Sequence, residues 1–146
     1  MSKYRKNTTA AFSLKFHLVW CPKYRRKVLD DQIAARLKTL LCQKAIELNI
    51  QIHALEIMPD HVHIFVEIPP TMSVSKALQL FKGISSYKLF KQHPWLRKHF
   101  RRGHFWSPGK FFRSVGNVTA ETIQHYISES QGAWNFQPQR KVTSFA

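Results

Sequence analysis

His61 and His63 stand one residue apart in the stretch PDHVHIFVEIPP, residues 59–70. In an extended strand, residues i and i+2 point to the same face. The two imidazoles therefore project together, while Val62, Ile64, Val66 and Ile68 line the opposite face. Two neutral imidazoles so placed can hold one divalent cation, which also wants an oxygen donor from elsewhere in the fold. The plainer alternative is a polar pair satisfied on an exposed sheet face, and the His-x-His pattern alone does not separate the two. Attack on a phosphodiester at such a site needs a nucleophile, either water, as in a nuclease, or a side chain. Tyr4, Tyr24, Tyr87 and Tyr126 are the candidate side chains. A tyrosine oxygen bonded to phosphorus conserves the energy of the broken bond for rejoining, so no ATP is required. The chain carries no GxxxxGK[ST] loop, and no nucleotide cofactor is expected. Glu129, Ser130 and Gln131 follow Tyr126 closely enough to present an oxygen near its ring. Packing of Tyr126 beside Ile123 and Ile127 is the structural alternative. Spacing alone does not choose between Tyr87 and Tyr126.

Charge supplies the phosphate. The chain has 146 residues, with 23 Lys and Arg against 8 Asp and Glu, a formal net charge of +15. Such an excess points to a polyanion, because Lys and Arg displace counterions condensed on phosphates. The cations fall in two clusters: Lys23, Arg25, Arg26 and Lys27, then Arg97, Lys98, Arg101, Arg102, Lys110 and Arg113. Of these, Lys23, Arg25, Arg26, Arg101, Arg102, Lys110 and Arg113 are the candidate nucleic-acid-binding residues. Phe100, His104, Phe105 and Trp106, interleaved with the second cluster, are candidates for stacking on unpaired bases. Phe105, Trp106, Phe111 and Phe112 read equally as core. No stretch approaches the roughly 20 apolar residues of a membrane span, and the basic N-terminus has no apolar segment ending at a small-residue cleavage site. Cys21 and Cys42 lack the spacing of a disulfide framework or a zinc site. These features together predict a cytoplasmic setting and no membrane partner.

The elements that must position these residues can be read from periodicity. FSLKFHLVWC (12–21) alternates, with Phe12, Leu14, Phe16, Leu18 and Trp20 on one face, and predicts a half-buried strand. A helix follows from Asp30, carrying Ile33, Leu37, Leu40, Leu41 and Leu48. Residues 50–58 and 61–68 predict two strands joined by a tight Pro59-Asp60 hairpin. Ser73 or Ser75 caps a second helix that stops near His93-Pro94. GKFFRSVG (109–116) predicts a fourth strand, and Thr119 caps a last helix, AETIQHYISESQ. The order predicts an α+β fold: a ferredoxin-like or RRM-like antiparallel sheet, helices on one face, and an added C-terminal helix carrying Tyr126. The whole chain, 1–146, reads as one catalytic domain, with 1–10 and 132–146 as loose or partner-docked ends.

Four stretches in this order, FHLVWCPKYRRKVL, IMPDHVHIFVEIPP, ALQLFKGISSYKLF and SVGNVTAETIQHYI, resemble the HUH-type single-tyrosine transposases of small bacterial and archaeal insertion sequences. The resemblance spans roughly residues 12–131. It implies excision and integration of a single-stranded DNA element recognised through hairpins at its ends. It also implies that His61 and His63 bind Mg²⁺ or Mn²⁺, and that Tyr126 forms a 5′-phosphotyrosine and releases a 3′-OH. A homodimer with composite active sites is implied as well. The family places a glutamine ligand four residues after the tyrosine, where this chain has Ser130. The third ligand then falls to Gln131, with Glu129 as the alternative. Two other readings compete: a hairpin-binding module without catalysis, and a related nicking endonuclease or replication initiator.

Overall fold

A computed structural model describes residues 5–6, 11–12, 14–109 and 111–115. Strands β1 (Arg5–Lys6) and β2 (Ala11–Phe12) pair antiparallel, so two residues of the end read as loose are engaged in a short ladder. The body of the fold is β3 (Lys15–Trp20), α1 (Asp31–Glu47), β4 (Gln51–Met58), β5 (His61–Glu67), α2 (Val74–Gln92) and β6 (Phe111–Val115). The sheet has four strands in the order β4-β5-β3-β6, and every neighbouring pair is antiparallel. This is the ferredoxin-like antiparallel sheet predicted above, with β5 and β3 central.

Helix ends follow the local chemistry. Asp30 caps α1, its carboxylate accepting from the Ile33 N–H at 3.0 Å. At the other end Asn49 takes φ 58. That turn lets the Ile50 N–H reach the Ala45 carbonyl at 2.8 Å and satisfies the last turn of α1. Ser73, rather than Ser75, caps α2 by accepting from the Lys76 N–H at 3.1 Å. Both helices pack on one face of the sheet. Their residues Ile33, Leu37, Leu41, Leu78 and Phe81 bury against Leu18 and Trp20 of β3 and against Val62, Ile64 and Val66 of β5.

Two expectations change. The single strand read over 12–21 is divided, with β3 starting only at Lys15, opposite Glu67. One more bond, Ile68 N–H to the Leu14 carbonyl at 2.8 Å, ends this ladder. Pro69 comes next and has no N–H to offer. The candidates for base stacking also lie inside: Phe100 is a buried core residue, and Phe105 and Trp106 take the core alternative. The Trp106 indole N–H donates to Ser85 Oγ at 2.9 Å, which fastens the 94–109 segment to α2. The helix predicted over 120–131 lies outside the described residues. Among the described residues no helix is long and apolar enough to cross a membrane.

Candidate active site

The histidines occupy the face of the sheet opposite the helices. On β5, Val62, Ile64 and Val66 face the helical core, which turns His61, His63, Phe65 and Glu67 the other way. They do not form the exposed pair considered from sequence. His61 is 0% and His63 1% exposed, with ring centroids 4.8 Å apart and ring planes at 77°.

Each ring is held through Nδ1 by a different element. His61 Nδ1 lies 2.8 Å from Asp60 Oδ1 in the β4–β5 turn. An ionised carboxylate only accepts, so His61 carries its proton on Nδ1 and presents Nε2 as a lone-pair donor. His63 Nδ1 lies 2.9 Å from His17 Nε2 on the neighbouring central strand. The His17 ring stacks on His63, with centroids 5.1 Å apart, and on Phe65, at 4.7 Å.

Asp60 is held in turn by Arg25, whose Nη2 is 3.0 Å from Asp60 Oδ2. Burial pushes the Asp60 carboxyl upward, but the His61 hydrogen bond and the Arg25 charge outweigh it, so its pKa falls below the ordinary value. Burial lowers the pKa of His61, against the pull of Asp60. Burial also takes His63 to about 2, helped by the charges of His61 and His17. His17 falls to about 3, first through burial and then through Arg113. Near neutral pH all three rings are therefore uncharged, the state in which imidazole ligates a metal.

The arrangement fits a divalent cation. Metal-ligating histidines characteristically give their other ring nitrogen to a carboxylate or a second polar group, which fixes tautomer and direction. His61 and His63 both have such a partner, on Asp60 and His17. Among the described residues no group of three or more His, Cys, Asp or Glu could hold a metal ion. The third donors expected from the family pattern, Gln131 and Glu129, lie outside the described residues, as do the expected nucleophile Tyr126 and the candidate DNA-binding residue Lys110.

The remaining site residues divide. Tyr87 is exposed on α2, with Lys91 Nζ 5.6 Å from its ring centroid, and the sheet separates this helical layer from the histidines. Arg113 on β6 stands directly opposite His17 on β3, at the histidine site. Lys23 is half-buried and Arg26 exposed in the Lys23–Arg25 turn and the residue after it. Arg101 and Arg102 are exposed beyond the Pro94–His99 turn. Arg25 departs from the reading as a phosphate contact. Its side chain is only 6% exposed and is committed to Asp60.

Sequence reasoning passed over His17 and read Asp60 only as a turn former. His17 lies at an alternate position of KFHLVW, on the side away from the apolar stripe. Its cross-strand partner could be named only with the β3–β5 register in hand.

A family described as IS200-like transposases matches residues 10–130. The ISDra2 transposase TnpA of Deinococcus radiodurans is 33% identical over 127 residues, covering 87% of this chain and 90% of that one. The transposase for insertion sequence element IS200 of Salmonella typhimurium is 36% identical over 116 residues, 80% of this chain and 76% of that one. Among solved structures, a Deinococcus radiodurans protein assigned as a transposase superposes with a TM-score of 0.72 at 32% identity, covering 86% of this chain and 96% of that one. A REP-associated tyrosine transposase bound to a REP hairpin superposes with a TM-score of 0.57 at 16% identity, covering 92% and 76%, and shares the fold.

Proposed function

The chain belongs to the IS200-like transposase family, and from that premise we propose that it excises and integrates a single-stranded DNA element by tyrosine attack. The observation that carries the reading is the buried pair His61 and His63, each neutral and each oriented through Nδ1 by Asp60 or His17. In this reading His61 and His63 hold Mg²⁺ or Mn²⁺ together with Gln131, or with Glu129 in its place. A cation held there neutralises charge on the scissile phosphate.

The chain's own groups do the rest. Tyr126 Oη gives up its proton and attacks phosphorus. The bond from phosphorus to the 3′-oxygen breaks, that oxygen leaves as a 3′-OH, and the 5′ side stays on the tyrosine. A 3′-OH then attacks a second phosphotyrosine, so bonds are exchanged without net hydrolysis. In this reading Arg113, which stands opposite His17 in the sheet, adds positive charge beside the phosphate. Arg101, Arg102 and Arg26 grip the backbone of the hairpin ends. That a tyrosine transposase of the same fold is bound to a REP hairpin supports a hairpin substrate. The proposal includes a homodimer in which the tyrosine helix of one subunit completes the histidine site of the other.

The test is incubation of the full chain with single-stranded DNA carrying the element ends and Mn²⁺. A covalent protein–DNA adduct is expected from the wild type and none from Tyr126→Phe. His61→Ala should lose both cleavage and Mn²⁺ affinity while hairpin binding persists. An adduct that survives Tyr126→Phe overturns the nucleophile. Cleavage without joining of two ends points instead to a nicking endonuclease, and hairpin binding with no adduct to a non-catalytic module.

A further inference from the structure

Tyr24 and Arg25 are consecutive non-glycine residues in the left-handed region, at φ 63 and φ 54. That backbone favours glycine or asparagine, so a turn selected for its shape alone is better served by those residues. Bonds on every side hold it in place. The Lys23 N–H donates to the Phe105 carbonyl at 2.8 Å, and the Arg25 N–H to the Pro22 carbonyl at 2.9 Å. Pro22 is bridged to the buried Trp106. The Arg25 guanidinium is locked on Asp60, which also holds His61. The result is an aromatic ring 67% exposed, carried on a rigid mount two contacts from the histidine pair. Lys23 Nζ and the Arg26 guanidinium each lie 5.6 Å from its centroid.

Phe100, Phe105 and Trp106, candidates for base stacking from the sequence, are core residues. Tyr87 and Trp95 are exposed, but they belong to α2 and the turn after it, in the helical layer. Phe112 leans on Phe16 with centroids 6.2 Å apart. Tyr24 is thus the exposed ring, among the described residues, that is tied to the histidine site. It is also a tyrosine for which the strand-transfer chemistry above has no use.

We propose that Tyr24 is a substrate-binding residue, a platform on which an unpaired nucleobase of the single-stranded DNA stacks beside the scissile phosphate, with Lys23 and Arg26 on the flanking phosphates. The inference deepens the transposase reading and rests on it for the position of the cut. Stacking needs the ring face and not the hydroxyl. Phenylalanine therefore substitutes for Tyr24 in this role, as it cannot for a nucleophile.

The experiment uses the full chain in EDTA, where no cleavage occurs, and an oligonucleotide of the DNA flanking the gene. The probe is a hairpin with a single-stranded tail carrying 2-aminopurine at successive positions. Wild-type protein and Tyr24→Phe should quench the fluorophore at one tail position. Tyr24→Ala should abolish that quenching and weaken binding of the tailed probe by roughly 5- to 100-fold, with binding of the tail-less hairpin unchanged. Equal quenching and affinity in Tyr24→Ala and wild type overturn the proposal, as does Tyr24→Phe behaving like Tyr24→Ala. A second arm with Mn²⁺ separates the two readings. Loss of quenching in Tyr24→Ala, with a wild type that never forms an adduct, keeps the platform and sinks the strand-transfer chemistry. A Tyr126 adduct with no effect of Tyr24→Ala does the reverse.

Discussion

Lowering the pH from 7 to 5 is expected to cost the metal-free protein about 4 kcal/mol of folding stability. His17 and His63 are buried and neutral, their pKa values brought from 6.5 to about 3 and about 2. Burial is the main cause at both, followed by Arg113 at His17 and by His61 and His17 at His63. Below the unfolded value of 6.5, the unfolded chain takes up protons that the folded protein refuses. The unfolded state then binds more protons, so stability is full above 6.5 and falls as the pH drops toward the folded values. At pH 5 an unfolded histidine favours its protonated form by about 30 to 1, worth about 2 kcal/mol, against about 0.2 kcal/mol at pH 7. Two rings give about 4 kcal/mol, and His61, lowered in the same direction, adds to it. Both folded values lie well below 5. The loss is therefore set by the ordinary histidine pKa and hardly by how far either ring is depressed. A domain with a typical stability of about 5–15 kcal/mol loses a large share of it this way. Urea denaturation in EDTA at pH 7, 6 and 5 measures the loss directly. In His17→Phe, which keeps a ring against Phe65 but removes one titrating group, the loss between pH 7 and 5 should shrink by about 2 kcal/mol. A change under about 1 kcal/mol between pH 7 and 5, or an undiminished loss in His17→Phe, would refute the buried neutral pair.

Asp60→Ala strips the carboxylate from both Arg25 and His61. It should destabilise the fold by about 3 kcal/mol in chemical denaturation, because a nearly buried guanidinium loses its counter-charge. The same variant should weaken Mn²⁺ binding by about 10- to 100-fold in calorimetric titration, since the ligand ring is no longer oriented. DNA affinity should fall linearly with salt on logarithmic axes, and Arg101→Ala or Arg102→Ala should each reduce the slope by about 1. Arg25→Gln should leave that slope unchanged while lowering stability, which separates a buried structural cation from an exposed phosphate contact.

Much of the frame was legible because it rests on periodicity. Val62, Ile64 and Val66 alternate with His61, His63 and Phe65, and that alternation alone separates the two faces of β5. The helix start at Asp30, a cap at Ser73 or Ser75 and the Pro59-Asp60 hairpin turn rest on local chemistry that the sequence carries. What could not be read were relations between strands and between loops. His17 meets His63 only through the β3–β5 register, and Arg25 meets Asp60 across 35 residues of sequence only once the hairpin turn is folded against the Lys23–Arg25 turn. The 100–106 segment stayed open between base stacking and core because its composition alternates cations with aromatics. Composition does not say that Arg101 and Arg102 face water while Phe100, Phe105 and Trp106 turn inward onto α2.

Two features of this chain cost stability without serving the fold, and both surround the same point. Three imidazoles fill a buried stretch of sheet where apolar side chains would carry no acid penalty. Two residues with β-carbons occupy left-handed backbone where glycine would rest more easily. Each departure could be relieved by a single substitution, and neither relief would disturb the core between the sheet and the helices. The Asp60 carboxylate joins them, with one oxygen on Arg25 at the strained turn and the other on His61 of the buried pair. Local rules broken together, around one shared carboxylate, mark a place where sequence answers to chemistry rather than to folding. The histidine pair is tied through that carboxylate to the hairpin turn and to the loop that carries Tyr24.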